Sequence, residues 1–144
     1  MSSDKLAKYE SRIAVVKFDH KTVFNFFSDM RNFHRFIPGD TVKNWKAERD
    51  HCEFEVSPVG KAKIKLLESE PYSVVKFEGD GLNNTSFFLW VQIKEVAAGD
   101  SRVKITIKAD LSPMIRTMAS KPIKDFIEKL VVGMESFEAW EEEV

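Results

Sequence analysis

The sequence predicts an α+β fold of order β-α-α-β6-α: a seven-stranded, curved antiparallel sheet wrapped round one long C-terminal helix. Three observations carry that prediction. Between Val42 and Leu111, six strand-like stretches follow one another through links of hairpin length, so neighbours should run antiparallel. The stretches set an apolar side against a charged side, so one face of the sheet should be wet. After them Ile123, Phe126, Ile127, Leu130, Met134 and Phe137 recur with a period of about 3.6, a stripe that must bury against the dry face.

Each element has its own local reason. Tyr9 to Phe18 is rich in β-branched and aromatic residues and reads as the first strand. Asp19 stands where a helix N-cap belongs. Val23, Phe26, Phe27 and Met30 follow at i, i+3, i+4 and i+7, one helical face, and Phe33 and Ile37 continue it until Pro38-Gly39 stops the chain. Asp29 can cap a second short helix, so two helices are expected here.

Val42–Glu48 is a weak strand signal. His51–Val56 places Cys52, Phe54 and Val56 on one face and Glu53 and Glu55 on the other. Lys61–Leu66 alternates as cleanly, with Lys61, Lys63 and Lys65 opposed to Ala62, Ile64 and Leu66. Between them Pro58 and Gly60 form a turn. Charge complementarity predicts the register: Glu55 opposite Lys61, Glu53 opposite Lys63, Phe54 opposite Ala62 and Cys52 opposite Ile64. A slip of one residue would set apolar side chains against charges. Ser73–Glu78, Thr85–Val96 and Ser101–Leu111 complete the strands, with "GDGLNN" and "AAGDS" as turns. Ser112-Pro113 suits a helix start, read as a short turn, before a long helix from Lys121 to about Glu141. Glu141, Glu142 and Glu143 would sit at its negative end and fray the last turn.

Composition bounds the function. At 144 residues the chain is expected to be one domain, 1–144, able to bury a real core. Its net charge of −1 provides no electrostatic footprint for nucleic acid. The stretch "FNFFSDMRNFHRFIPGD" is rich in phenylalanine, but Asp29, Arg31, Asn32 and Arg35 interrupt it, so membrane insertion is not expected. Nothing approaches a spanning helix, and the first residues are polar, without an apolar signal segment. A single cysteine, Cys52, cannot form an internal disulfide and fits a cytoplasmic location. The overlapping sequons at Asn83 and Asn84 then read as turn residues.

Reactive constellations are sparse. His51 and Cys52 are adjacent in a strand and point to opposite faces, so they cannot share a metal, and no metal or cofactor is expected. His34, near Asp29 and Arg31, could act as a general base or be a partly exposed helix residue. Glu53 and Glu55 face lysines rather than each other. No nucleophile-elbow, zincin or phosphate-loop motif occurs, and Gly79 and Gly81 read as turn glycines. No catalytic residue is assigned.

The order of elements resembles the helix-grip fold of the START-like (SRPBCC) superfamily. Val23-Phe24, Ser28-Asp29 and Phe36-Ile37-Pro38 hold the places of that superfamily's first helix pair, and "VGKAKIKLLESEPYSVVKFEG" is similar to its central hairpin. The resemblance spans Tyr9 to Phe137. It implies an elongated cavity between sheet and long helix, and a range of activities from lipid carriers and polyketide cyclase or dehydrase enzymes to a chaperone regulator, so fold alone does not settle function.

The predicted inner face joins Cys52, Leu66, Val75, Val91, Val103 and Ile107 to a candidate ligand-binding set. That set is Phe33, Phe54, Ile64, Phe77, Phe87, Leu89, Ile105, Met118, Phe126 and Leu130. It favours a small hydrophobic, lipid- or polyketide-like ligand that is bound or transported. The alternatives are a cyclase-type enzyme using His34, Arg35 or Asp29, and a protein-binding module. Phe88 and Trp90 fall on the outer face by alternation: either they form a patch that could pair two copies as a homodimer, or a bulge reverses the phase there. The turns near Pro58, Leu82 and Asn83 and the segment Pro113–Lys121 are candidate gates.

Overall fold

The computed structural model describes residues 6–35, 42–56, 60–81 and 85–141. The strands are β1 (Ala7–Glu10), β2 (Ala14–Val16), β3 (Val42–Ala47), β4 (His51–Val56), β5 (Gly60–Glu70), β6 (Val74–Gly81), β7 (Phe87–Ala97) and β8 (Asp100–Ala109). Helix α1 (His20–Phe27) and a 3-10 helix (Met30–Arg35) separate β2 from β3, and α2 (Pro113–Ser136) ends the fold. The strands form one antiparallel sheet of order β1-β8-β7-β6-β5-β4-β3, with β2 also paired to β8. This is the expected helix-grip architecture. The expected turns at Pro38-Gly39, at Pro58 and at 82–84 lie outside the described residues, as do Phe36 and Ile37.

The β4–β5 register is the predicted one: Cys52 faces Ile64, Glu53 faces Lys63, Phe54 faces Ala62 and Glu55 faces Lys61. Their charged side chains approach to 3.9 Å for Lys63–Glu53 and 4.0 Å for Lys61–Glu55 on the outer face. Apolar partners are buried on the inner face, so hydrophobic phase and charge pairing agree on one register.

Three expectations need correction. The first strand is two. Glu10 pairs with Thr106 and Ala14 with Val103, so β1–β2 holds one residue more than β8 across the gap. That extra residue moves the inward phase from Ala7 and Tyr9 to Ala14 and Val16. Ser11 closes the break, accepting from the Ile105 amide at 2.9 Å and donating its own amide to the Ile105 carbonyl at 2.8 Å.

The final helix starts eight residues before Lys121, at Pro113, and runs unbroken through Pro122. The Ser112 side chain accepts from the Ile115 amide. The helix stops at Ser136, short of Glu141. Beyond it Trp140 turns back into the core, 3% exposed, with its indole N–H donating to the Phe137 carbonyl at 3.0 Å. There it meets Phe18, Phe26, Phe27 and Phe137, which closes one end of the molecule with aromatic rings.

Gly79 and Gly81 belong to β6 rather than to a turn. Gly79 lies opposite Phe87, and a Cβ there would overlap the Phe87 ring. Phe88 and Trp90 do lie on the outer face, with no bulge beside them; the β7–β8 irregularity comes later, at Glu95/Ala97. Both are half-buried, and Lys76 Nζ sits 4.8 Å and 5.2 Å from their ring centres.

Helix α2 packs most closely on β2 and β1. Polar bonds fix it there: Tyr9 and Ser120 hydroxyls at 2.7 Å, Arg12 to Glu128 at 3.1 Å and to Glu135 at 2.9 Å, and the Val15 amide to Glu135 at 3.0 Å. The helix is therefore anchored along one sheet edge. The space between it and the central strands is left to side chains.

Candidate functional site

That space holds two adjoining apolar chambers. The first lies beside the N-terminal half of α2 and is lined by Phe54, Val56, Ile64, Thr85, Phe87, Leu89, Ile107, Ala109, Leu111, Ala119, Pro122, Ile123 and Phe126. The second lies beside its C-terminal half, between Phe27, Phe33, Trp45, Phe54, Ile64, Leu89, Val91, Ile105, Phe126, Leu130 and Met134. Phe54, Ile64, Leu89 and Phe126 border both, so they form the partition, with the Phe54 and Phe126 rings stacked at 6.3 Å.

The chambers are narrow. Counted as room for the centre of a water-sized sphere, the first holds about 40 Å³ and the second about 20 Å³. Either volume suffices for a few small atoms at most, since one water needs roughly 10–15 Å³ on this measure. A larger guest must displace side chains. Of the lining side chains, Met134 is the unbranched, shape-adaptable type, and Phe126 is half-buried rather than fully enclosed.

Local structure explains how the lining arises. Strand alternation turns Phe54, Ile64, Phe87, Leu89 and Ile105 inward. Phe27 and Phe33 arrive from the helical pair: the Asp19 carboxylate caps α1 by accepting from the Thr22 amide at 2.8 Å, and Asn32 ties the 3-10 helix back to the Phe26 carbonyl at 3.0 Å. Phe33 also meets Phe77 edge-on at 5.4 Å. Phe77 is fully buried behind the chambers and lines neither.

Met118 is a correction. It is 62% exposed on α2 and borders neither chamber, because the stripe that faces the sheet runs through Ala119, Ile123, Ile127, Leu130 and Met134. A helix pattern that starts at Lys121 leaves the phase of residues 113–120 undetermined. Phe77 is a second correction, since it is an expected contact that lies fully buried behind the lining and borders neither chamber. The remaining eight expected contacts, Phe33, Phe54, Ile64, Phe87, Leu89, Ile105, Phe126 and Leu130, stand on chamber walls.

Trp45 was missed. Strict alternation from Val42 would send it outward, yet Asn44 adopts a left-handed conformation (φ 55°) and the β3–β4 register shifts between Lys43 and Lys46. Asn44 and Trp45 together oppose the single residue Phe54, a β-bulge that brings Trp45 to the chamber wall. It stacks on Phe54 at 5.4 Å and tilts against His34 at 6.1 Å. A sequence signal existed: asparagine is among the few residues that tolerate this backbone region.

No titratable side chain lines either chamber among the described residues. Asp29 is engaged elsewhere: the Arg31 guanidinium donates to it at 2.9 Å and 2.6 Å, which holds its carboxyl below the usual range. Arg35 lies over the Phe26 and Phe137 rings, and His34 is exposed. Cys52 is 1% exposed, and burial pushes its thiol up to about 12. Among the described residues there is no cluster of three or more metal-ligating side chains, and no helix is long and apolar enough to cross a membrane.

The sequence matches, over residues 14–138, the model of the CoxG family, whose description is that of a carbon monoxide dehydrogenase subunit (CoxG). The chain therefore belongs to the CoxG family, within the SRPBCC superfamily. No curated protein matches it in sequence. Among solved structures it is similar to a protein from Thermus thermophilus (TM-score 0.67, 12% identity, 90% of this chain and 94% of that one). It is similar also to a conserved protein from Geobacillus kaustophilus (TM-score 0.66, 12% identity, 89% and 91%). A third is norcoclaurine synthase from Thalictrum flavum in complex with dopamine and hydroxybenzaldehyde (TM-score 0.60, 10% identity, 94% and 92%). At these identities the likeness is one of fold. Family and fold together suggest an SRPBCC ligand-binding module.

Proposed function

We propose that this chain binds and carries a small hydrophobic molecule, lipid- or polyketide-like, between the sheet and α2, without transforming it. The observation that supports this reading is the lining: two adjoining chambers walled almost wholly by apolar side chains, with Thr85 and Trp45 as the polar exceptions. Phe33, Phe54, Ile64, Phe87, Leu89, Ile105, Phe126 and Leu130 are the proposed contacts. Phe77 backs Phe33. The first turns of α2, which carry Ala119 and Pro122 on the chamber side, are the proposed gate. A buried free thiol suits a reducing compartment such as the cytoplasm.

Binding must widen the chambers, and the gain from burying apolar surface, about 25 cal/mol per Å², is offset by that displacement and by association costs. Micromolar affinity is the expected scale. Native mass spectrometry and thermal shift against a panel of lipids and polyketides test it: retained or added ligands that raise the melting temperature are expected, and silence in both would sink the proposal. An enzyme of cyclase type would need acids or bases facing the cavity, and the chamber walls supply none among the described residues.

A second reading has its own observation. The narrow interior and the half-buried Phe88–Trp90 pair on the outer face suit a protein contact, and the family description is that of a carbon monoxide dehydrogenase subunit. That contact could be with such an enzyme or with a second copy of this chain. Under this reading the ligand panel stays silent, and Phe88→Ser lowers the apparent mass in solution where the partner is a second copy, or abolishes co-elution with the dehydrogenase where it is that enzyme.

A further inference from the structure

We propose that the outer face of the sheet, centred on Phe88 and Trp90, docks an acidic segment of a partner protein. This rests on the reading of that face as a protein contact and names the chemistry of the partner. Alternation sends Phe88 and Trp90 outward on β7, where their ring centres lie 5.9 Å apart. Both are half-buried, so each offers part of a ring to a partner. Their cross-strand neighbours are cationic. Lys108 on β8 lies opposite Phe88, and Lys76 on β6 lies opposite Trp90. Both ammonium groups sit over the Trp90 ring, Lys108 at 5.8 Å and Lys76 at 5.2 Å from its centre. One strand further on, Lys8 of β1 stands in register with Lys108. Like charges directly opposite each other weaken a sheet, and a solvent-facing position does not need lysine for packing.

The carboxylates within reach do not balance this charge. Glu10 is shared between Lys8 at 2.9 Å and Lys104 at 3.2 Å. Lys76 meets the exposed Glu68 at 3.7 Å, and Glu78, opposite Phe88, turns to Lys65 at 3.7 Å. Lys108 makes no ion pair among the described residues. Positive charge is thus in excess around an apolar centre, in a chain whose net charge is −1. An acidic segment supplies the missing carboxylates to Lys108 and Lys8, while its apolar atoms cover the exposed parts of the two rings. A second copy of the chain is the poorer occupant, because a two-fold contact through this face would set its lysines against their own counterparts. A bilayer is poorer too: sinking the rings into hydrocarbon would draw the ammonium groups above them in as well, at a high cost.

The test uses the full chain and two labelled peptides read by fluorescence anisotropy: a glutamate-rich peptide with a central leucine pair, and its glutamine analogue. At low salt the glutamate peptide should bind about tenfold more tightly than the analogue, and added salt should erode that advantage, since exposed charges are screened. Lys76→Gln combined with Lys108→Gln should weaken the glutamate peptide roughly fivefold or more. Phe88→Ser should weaken it too. Lys46→Gln combined with Lys124→Gln, at exposed sites on β3 and α2, should change nothing. In the unaltered protein the Trp90 indole proton signal, one of three such signals, should shift with the glutamate peptide, a readout that needs no variant to fold. Equal binding of the two peptides, or full affinity in the Lys76 and Lys108 double variant, overturns the acidic partner. If Phe88→Ser then still lowers the apparent mass of the chain alone, the face joins two copies and the protein-contact reading stands. If Phe88→Ser changes neither that mass nor co-elution with the dehydrogenase, both fall. Binding of phosphatidylglycerol vesicles through Lys76 and Lys108, with neither peptide bound, would make the face a lipid contact and overturn the proposal as well.

Discussion

Single side chains show where chemistry is withheld as well as where it is offered. Cys52 sits inward on β4, opposite Ile64, and its thiol is held protonated to about 12 chiefly by burial, with the Glu53 charge adding to it. Below that value it carries little thiolate, and the thiolate is the reactive form. Native protein at pH 8 should therefore leave a disulfide reagent such as Ellman's unreacted for hours, and denaturant should release the full signal from one thiol. Rapid labelling of the native protein would mean that β4 opens readily. His51, one residue away, lies on the outer face and pairs with Asp50 at 2.9 Å. The strand's period of two thus separates two groups that would be neighbours on a loop. Trp45 and Trp140 are the contrary case. Both reach the interior by departures from regular structure, a bulge and a turn after a helix end, and neither departure leaves a strong periodic trace.

Elements behave according to how their residues are partnered. Helix α2 carries Pro122 in its interior, where a proline lacks the amide that would donate to residue 118 and crowds that carbonyl. Such a proline costs an isolated helix about 3 kcal/mol relative to alanine. Sheet packing and the Tyr9–Ser120 and Arg12 contacts hold the helix together across it. Pro122→Ala should raise stability by about 1–3 kcal/mol, seen as a higher midpoint in denaturant. A lower midpoint would show that the proline is needed for the fit of α2 over the first chamber. The hairpin β4–β5 is the element most legible in sequence, because hydrophobic alternation and charge pairing point to the same register. Strand β3 was the least legible, since a weak signal and a two-residue bulge concealed its inward side chain. The β1–β2 break was hidden for a similar reason: one extra residue reverses the phase, and the composition stays strand-like on both sides of it.

The sheet and α2 together make an enclosure that neither makes alone. The helix is tied to the β1–β2 edge by ion pairs and hydrogen bonds, and the wider gap toward the central strands is filled by rings and methionine. Ala119, 3% exposed, is the small residue on the helix side of the first chamber. Ala119→Leu should fill the room there, weaken uptake of any bound hydrophobic compound at least tenfold and cost about 1–3 kcal/mol in stability from overpacking. Equilibrium unfolding and the same ligand panel read the two effects separately. Undiminished uptake would place the guest outside the first chamber.

Element order, the wet and dry faces of the sheet, the β4–β5 register and most of the apolar lining followed from the sequence alone. Each is set by a short period, two or 3.6, that neighbouring residues enforce locally. Three things waited for the tertiary structure: how narrow the chambers are, which side of α2 its first turns present, and that Trp45 stands on the wall. Those depend on one-residue insertions and on how bulky rings interlock across distant segments. Periodicity does not encode either, and only the packed chain resolves them.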